Sequence, residues 1–344
     1  MNAPLRLRLD GQALVANYRV LAQMSGAAAC GAAVKANGYG LGAQAVAMRL
    51  ADAGCRDFFV ATWAEAAELA PLGLSISVLH GVRGEDLPVA LAIPQARPVL
   101  NTAAQVARWR AAGGGRCDVM IDTGMNRLGL SAAEAVGGLL DGLMIDTVMS
   151  HLASGDEDSP LNAHQRAGLA AAGPPIGTHR LSLANSAGIA LGPDFHFDLT
   201  RPGLALYGGV PRREFAGRIQ PVVTPEAQIL QRRMLRQGES IGYNATFTAP
   251  RDMAVAVLNI GYADGYWRGF SGKGAAVAGG IRLPVLGRIS MDLTAIDVTA
   301  APKLSEGDWV AIDFALPEAA AQSGMSQYEL LTGLGNRFDR CWQG

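Results

Sequence analysis

Lysine is scarce in this chain. Of 344 residues only Lys35, Lys273 and Lys303 are lysine, although lysine and arginine together number 29. Chemistry that needs an amine nucleophile therefore has three candidates. Charge of either sign is also thin. Charged residues make up 17% of the chain, and 29 basic against 30 acidic side chains leave a formal net charge of −1. That balance excludes a broadly basic nucleic-acid binder and a protein built around a polyacidic tail. Cysteine is confined to positions 30, 55, 117 and 341, with no Cys-x-x-Cys and no histidine at ligand spacing. Neither a disulfide framework nor a metal site is expected. No uninterrupted apolar run reaches the ~18 residues of a membrane helix, because Gly, Arg, Asp or Pro breaks every candidate. The opening MNAPLRLRLDGQAL lacks the apolar stretch of a signal peptide. The expectation is a cytoplasmic protein that partners neither membrane nor nucleic acid.

Apolar residues are plentiful, at 49%. That excludes intrinsic disorder, and the length suffices for a large core, with roughly 75% of the unfolded surface buried at this size. Short apolar runs alternate with Ala-rich helical stretches over the first two thirds. Helix 11–24 leads to a run ending at Val34, followed by helix 42–53. Phe58–Ala61 precedes helix 63–70, Ile76–Leu79 precedes helix 84–92, and Pro98–Leu100 precedes helix 102–112. Cys117–Ile121 precedes helix 131–140, Ile145–Met149 precedes helix 160–171, and His179–Leu183 precedes a short helix at 186–191. The last run spans Phe197 to Tyr207. Thr62, Thr102 and Ser131 are well placed as helix caps. Eight buried-type strands separated by helices fit a (β/α)8 TIM-type barrel; a doubly wound sheet would also alternate, and the count favours the barrel.

The texture changes after about residue 222. Val222 to Ala249, Met253 to Ile260, Ala275–Ala278, Leu293–Val298 and Trp309–Ile312 read as strands, with one helix near the end at 326–333. Strands at this spacing without long helices predict a separate, mainly β domain. The expected organisation is an α/β barrel over 1–222 and a C-terminal β domain over 223–344. The first few residues are candidates to join the β domain.

Functional groups of such a barrel gather at the C-terminal ends of its strands. Those ends carry Lys35, Asp122 to Arg127, His151, Asn185-Ser186 and Arg201 to Leu204. A lone lysine is ordinarily a solvated surface charge. Lys35 instead follows a buried-type run and precedes three glycines that permit close backbone approach. An amine in an apolar mouth has a depressed pKa and is a better nucleophile. Lys273 and Lys303 sit in turn-like contexts and read as surface residues.

Val34-Lys-Ala-Asn-Gly-Tyr-Gly-Leu-Gly42 resembles the pyridoxal-phosphate (PLP) attachment site of the alanine racemase family. The resemblance spans essentially the whole chain. It continues through Asp122-Thr-Gly-Met-Asn-Arg-Leu-Gly129, Ser150-His-Leu-Ala153, Ala184-Asn-Ser186 and Arg201-Pro-Gly-Leu-Ala-Leu-Tyr-Gly208. Gly242-Tyr-Asn-Ala-Thr-Phe-Thr-Ala249, Ile260-Gly-Tyr-Ala-Asp-Gly265 and Gly287-Arg-Ile-Ser-Met-Asp292 extend it.

That resemblance implies interconversion of L-alanine and D-alanine through a PLP Schiff base on Lys35. Lys35 would serve one face of the substrate, and Tyr243 of the partner subunit the other, in a homodimer with shared active sites. Arg201 looks like the arginine facing the pyridine nitrogen, with His151 supporting it. Tyr39, Ser186 with its neighbour Asn185, the backbone of Gly203 and Leu204, and Tyr328 look like the cofactor-phosphate contacts. Arg127 resembles the residue that supports the phenolate, Met291-Asp292 a partner-subunit loop at the substrate carboxylate, and Tyr262 a tyrosine lining the entrance. One departure is plain. Many members of the family have a lysine seven residues before the arginine, modified to a carbamate; this chain has Met120 there. A thioether cannot hold that charge, so the carbamate role does not transfer. The resemblance also leaves room for a racemase preferring another small amino acid such as serine. A non-catalytic PLP-binding protein would resemble the barrel alone, without the Tyr243 motif, and a PLP decarboxylase would carry a catalytic cysteine motif that is missing here.

Overall fold

The apolar runs of the first two thirds form short parallel strands buried on both faces, as expected where helices cover the outside of a barrel. The structure, a computed structural model, describes residues 3–177 and 180–344. Among these, nine strand segments pair in parallel: Ala29–Cys30, Ala32–Ala33, Asp57–Val60, Ser75–Val78, Ala96–Leu100, Cys117–Met120, Ile145–Met149, Leu181–Ser182 and Leu199–Thr200. The first two are halves of one strand interrupted at Gly31. Ala32–Ala33 pairs with Asp57–Val60, whereas Ala29–Cys30 pairs with Leu199–Thr200, so the ring closes on itself as an eight-stranded barrel. Gly31 donates its N–H to Thr200 O at 2.9 Å. A Cβ there would lie 2.8 Å from Asp57 O and 2.9 Å from Phe59 Cε2, so the seam has room only for glycine.

Thr62, Thr102 and Ser131 cap their helices as expected, each accepting the N–H of the residue three positions on. Lengths differ from the reading above. The helix after Ser131 stops at Val136, where Gly137 and Gly138 follow; the helix from Pro160 continues to Ile176. The run from Phe197 to Tyr207 contains only the strand Leu199–Thr200, then a 3-10 turn, Leu204–Tyr207. Of the run His179–Leu183, His179 lies outside the described residues, and the strand is Leu181–Ser182.

Charge fills the N-terminal end of the barrel. The buried Arg97 donates Nε to both Asp118 oxygens at 3.0 Å and Nη1 to Ser75 Oγ at 2.8 Å, and its Nη2 stands 3.1 Å from Asp146 Oδ2. Ser77 Oγ and the Thr147 N–H also donate to Asp118. Burying such ions is tolerable only because every polar atom of the carboxylate finds a donor.

The chain divides into two units, Leu14–Gln220 and Pro221–Gly344 with the segment up to Ala13. In the second unit, six antiparallel strands close a ring in the order Met253–Leu258, Thr294–Asp297, Ile281–Leu286, Ala275–Ala278, Trp309–Ile312 and Val223–Leu235. The long strand Val223–Leu235 changes partner at a bulge between Ile229 and Gln231, pairing with Trp309–Ile312 before it and Met253–Leu258 after it. Leu5–Asp10 adds to its first half, and Asp339–Gln343 pairs in parallel with Leu5–Asp10. Leu235, Ala249, Met253, Val255 and Leu286 form a buried apolar cluster there. Among the described residues, no helix is long and apolar enough to cross a membrane.

Candidate active site

The strand Ala32–Ala33, followed by Val34, delivers Lys35 to the C-terminal end of the barrel, and the chain then turns with the opposite hand. Ala36, Asn37, Gly38 and Tyr39 all have φ between 52° and 61°, a left-handed helical turn. Three of the four carry side chains, and each costs about 1–2 kcal/mol relative to the right-handed form. Hydrogen bonds hold the turn: Gly38 N–H to Val34 O, Gly40 N–H to Ala36 O and Gly42 N–H to Asn37 O, each at 2.9 Å. Asn37 Oδ1 also accepts the Ala43 N–H at 2.9 Å. Glu65 Oε1 accepts the Ala36 N–H at 2.7 Å. Gly38 is needed because a Cβ would sit 3.2 Å from the Ala43 backbone at a positive φ.

The turn buries Tyr39. Its ring stacks on Tyr207 with centroids 4.6 Å apart, and Tyr207 Oη donates to Ala33 O at 2.8 Å. The Tyr39 hydroxyl lies against Gly203: a Cβ at that glycine would be 2.2 Å from it. Ser186 Oγ accepts the N–H groups of Gly203 at 2.9 Å and Ala205 at 3.2 Å. Asn185 caps the short helix Ser186–Ile189 through the Gly188 N–H. Tyr39, Ser186, Gly203 and Leu204 therefore converge on one cradle of hydroxyl and backbone groups. The Gly203 N–H, one of the two amides the sequence pointed to, is directed at Ser186.

Arg201 is buried, and its guanidinium is anchored by backbone and hydroxyl oxygens. Nη2 donates to Ser150 O at 2.6 Å and Nη1 to Ser182 Oγ, while Cζ lies 5.8 Å above the Phe59 ring. Burial brings its pKa down to about 10, still fully cationic at neutral pH. His151 stands near enough to feel Arg201, Arg127 and Lys35, but among the described residues no hydrogen bond joins it to Arg201. Burial first, and those three cations next, push its imidazole down to about 3. Lys35 is shifted the same way: burial, then Arg127 and Arg201, hold its amine below the ordinary lysine value, against the opposing charge of Glu65.

Asp122 organises the loop carrying Arg127. Its Oδ1 accepts the N–H groups of Gly124, Met125 and Asn126 at 2.9, 3.0 and 3.1 Å. Arg127 itself is exposed, and among the described residues no carboxylate pairs with it. Met120 is buried on its strand at 7% exposure.

The remaining candidates belong to the second unit. Tyr243 opens a one-turn 3-10 segment between the paired strands Ser240–Ile241 and Phe247–Thr248, and is 64% exposed. Tyr262, Met291 and Asp292 come together, because the Tyr262 and Ala263 N–H groups donate to Ser290 O and Met291 O, both at 3.0 Å. Arg337 bridges this pair of loops, donating Nε to Asp264 at 2.6 Å and Nη1 to Asp292 at 2.8 Å. The Arg268 guanidinium lies 5.0 Å from the Tyr262 ring centroid. Tyr328 is on the helix Gln327–Thr332 and is 42% exposed.

Glu65, Ser182, Tyr207 and Arg337 escaped the sequence reading. Glu65 had a signal, since Thr62-x-x-Glu65 is a capping box. Tyr207 lay inside the Arg201–Gly208 motif without a role of its own; Ser182 and Arg337 had no signal, because each acts on a residue distant in sequence.

Two family models cover the chain: "Alanine racemase, N-terminal domain" over residues 9–211 and "Alanine racemase, C-terminal domain" over 222–342. An alanine racemase from Acidiphilium cryptum is 43% identical over 99% of both chains. A catabolic alanine racemase from Agrobacterium fabrum is 42% identical, covering 98% of this chain and 91% of that one. Among solved structures, alanine racemase from Bartonella henselae with covalently bound pyridoxal phosphate superposes with a TM-score of 0.89 at 35% identity, covering 98% of this chain and 99% of that one. The biosynthetic enzyme of Pseudomonas aeruginosa gives a TM-score of 0.90 at 31% identity over all of both chains. With both of its units matched and its barrel-mouth lysine, arginine and hydroxyl cradle in place, the chain belongs to the alanine racemase family.

Proposed function

We propose that this protein is a PLP-dependent isomerase that interconverts L-alanine and D-alanine as a homodimer, providing D-alanine for the cell wall or drawing on alanine in catabolism. The observation that carries the reading is the desolvated Lys35 amine at the barrel mouth, with Arg201 and Arg127 near it and the Tyr39–Gly203 cradle in the same unit. The residues present suit PLP. Lys35 Nζ would hold its aldehyde carbon. The Tyr39 and Ser186 hydroxyls and the backbone of Leu204 would hold its phosphate, with Asn185 and the Gly203 N–H keeping Ser186 in place. Arg201 would face its ring nitrogen.

When bound, PLP supplies an electron sink that makes an amino acid Cα–H acidic enough to ionise. Inversion then needs an acid–base group on each face of Cα. Lys35 Nζ, freed from the aldehyde carbon when the substrate amine takes its place, would move the proton on one face, and Oη of the partner subunit's Tyr243 on the other. The high exposure of Tyr243 on a hairpin end supports its burial against a second copy. Arg201 would keep its own proton and would not protonate the ring nitrogen, which would restrain transamination. Its neighbour His151 stays neutral and adds no competing charge. Arg127 stabilises the phenolate, while the partner's Met291 and the partner's Asp292 border the substrate carboxylate and Tyr262 lines the entrance.

The test is the circular dichroism of an L-alanine solution containing the protein and PLP. The signal falls to zero at constant total alanine if the reading holds. Lys35→Ala lowers the rate by about a thousandfold or more and abolishes the visible band of bound PLP. A static signal with cofactor bound overturns alanine as substrate and moves the search to serine and other small amino acids.

A further inference from the structure

Glu65 accepts the N–H of the residue that follows Lys35 and is not part of the cradle proposed for the cofactor. It is the third residue of the helix Trp63–Leu69 and closes a capping box with Thr62. One carboxylate oxygen, Oε2, accepts the N–H groups of Ala61 at 2.6 Å and Thr62 at 3.2 Å. The partner groups of a capping box are local, which leaves the other oxygen without a prescribed role. Here that oxygen, Oε1, accepts the N–H of Ala36, 29 residues away, at 2.7 Å. Ala36 is the first residue of the left-handed turn and has a side chain in a backbone region that favours glycine, with φ 52° and ψ 49°. A helix cap is thus also a clamp on the strained residue next to the reactive lysine.

We propose that Glu65 is a positioning residue: its carboxylate clamps the left-handed turn that follows Lys35 and thereby fixes where the Lys35 amine stands relative to Arg127 and Arg201. The inference rests on Lys35 being the cofactor lysine. A charge-assisted bond from a carboxylate to a backbone N–H is stronger than a neutral one, so the clamp suits a turn that the local sequence disfavours. It has an electrostatic corollary. Of the charged groups that act on Lys35, Arg127 and Arg201 are cations and Glu65 is the anion, while His151 is neutral. Removing the Glu65 charge leaves the amine facing cations alone.

The small lysine inventory makes the test direct. The full-length protein, freed of PLP, is labelled competitively with acetic anhydride across a pH series, and each lysine peptide is read by mass spectrometry. The exposed Lys273 and Lys303 serve as internal references. Glu65→Gln keeps the shape and removes the charge. It lowers the Lys35 labelling midpoint by about one pH unit and leaves both references unmoved. Thr62→Ala weakens the same helix cap but leaves the carboxylate, and it does not move the midpoint. A Lys35 midpoint unchanged by Glu65→Gln, or moved as far by Thr62→Ala, overturns the proposal and reduces Glu65 to a helix cap. If Glu65→Gln does not fold, Glu65→Asp replaces it, keeping charge but losing reach to the Ala36 N–H. A shift of about half a unit then supports the clamp, and no shift overturns it. Borohydride trapping of PLP in the wild-type protein tests the underlying reading separately. Cofactor fixed to a peptide other than that of Lys35 refutes the cofactor-lysine assignment, while the labelling still decides whether Glu65 governs Lys35.

Discussion

At the residue scale, the barrel mouth is a cluster of cationic groups in which burial decides protonation. His151 shows this most clearly. Its imidazole is brought down to about 3, so the folded protein leaves it neutral over a range where the unfolded chain, with an ordinary value near 6.5, takes up a proton. Between those values the unfolded state binds more protons, and stability therefore rises with pH. Acidification from about pH 6.5 toward 3 should cost up to about 1.4 kcal/mol per pH unit from this one group. Urea denaturation of wild type and His151→Gln at several pH values measures that component. The variant should lose it, and an identical slope in both would show that His151 carries none of the acid sensitivity. Several residues of the candidate site were legible one by one. Lys35 stood out through scarcity of lysine, and Arg201 and Ser186 through their positions at strand ends. What holds them was not legible. Arg201 is anchored by Ser182 Oγ and Ser150 O, which belong to other strand ends and share no local pattern with it.

At the element scale, the closing seam of the barrel depends on one glycine. Gly31→Ala would set a Cβ against Asp57 O and Phe59, both backed by packed strands that cannot yield cheaply. The expected loss is about 2–3 kcal/mol, read as a lower urea midpoint at unchanged slope; a variant as stable as wild type would mean that the seam can open to accept a methyl group. Helix starts were readable because a cap and its partner lie within three residues of each other. Strands read less well where their side chains break the pattern. Ile281–Leu286 contains Arg282 and Pro284 and was not anticipated, although Pro284 pairs opposite Ala275. Asp339–Gln343 is polar and largely exposed, and becomes a strand only because Leu5–Asp10 offers it a parallel partner. The left-handed turn after Lys35 was likewise hidden. Glycines at 38, 40 and 42 announce a tight turn, but Ala36, Asn37 and Tyr39 adopt the same hand without that freedom.

At the scale of the whole molecule, the proposal of a shared active site makes a prediction that no single variant can mimic. Lys35→Ala and Tyr243→Phe should each be nearly inactive alone. If each site takes its lysine from one subunit and its tyrosine from the other, a hybrid of the two variants contains one intact site and one doubly defective site. Random reassortment should then restore about a quarter of wild-type activity. No recovery, with hybrids shown to form, would refute the sharing. The amino-acid sequence by itself pointed to Lys35 and its strand-end companions as candidates, and determined the number of barrel strands and the change to β structure after residue 222. Those features rest on composition, periodicity and caps that operate within a few residues. Only the tertiary structure decided that the first strand splits at Gly31 to close the ring, that Arg97 and Asp118 fill its lower end, and that Glu65 reaches Ala36 across 29 residues. Such partners are set by which strands lie side by side. A charged or strained residue is tolerated where a distant donor or acceptor meets it, and the local sequence does not name that partner.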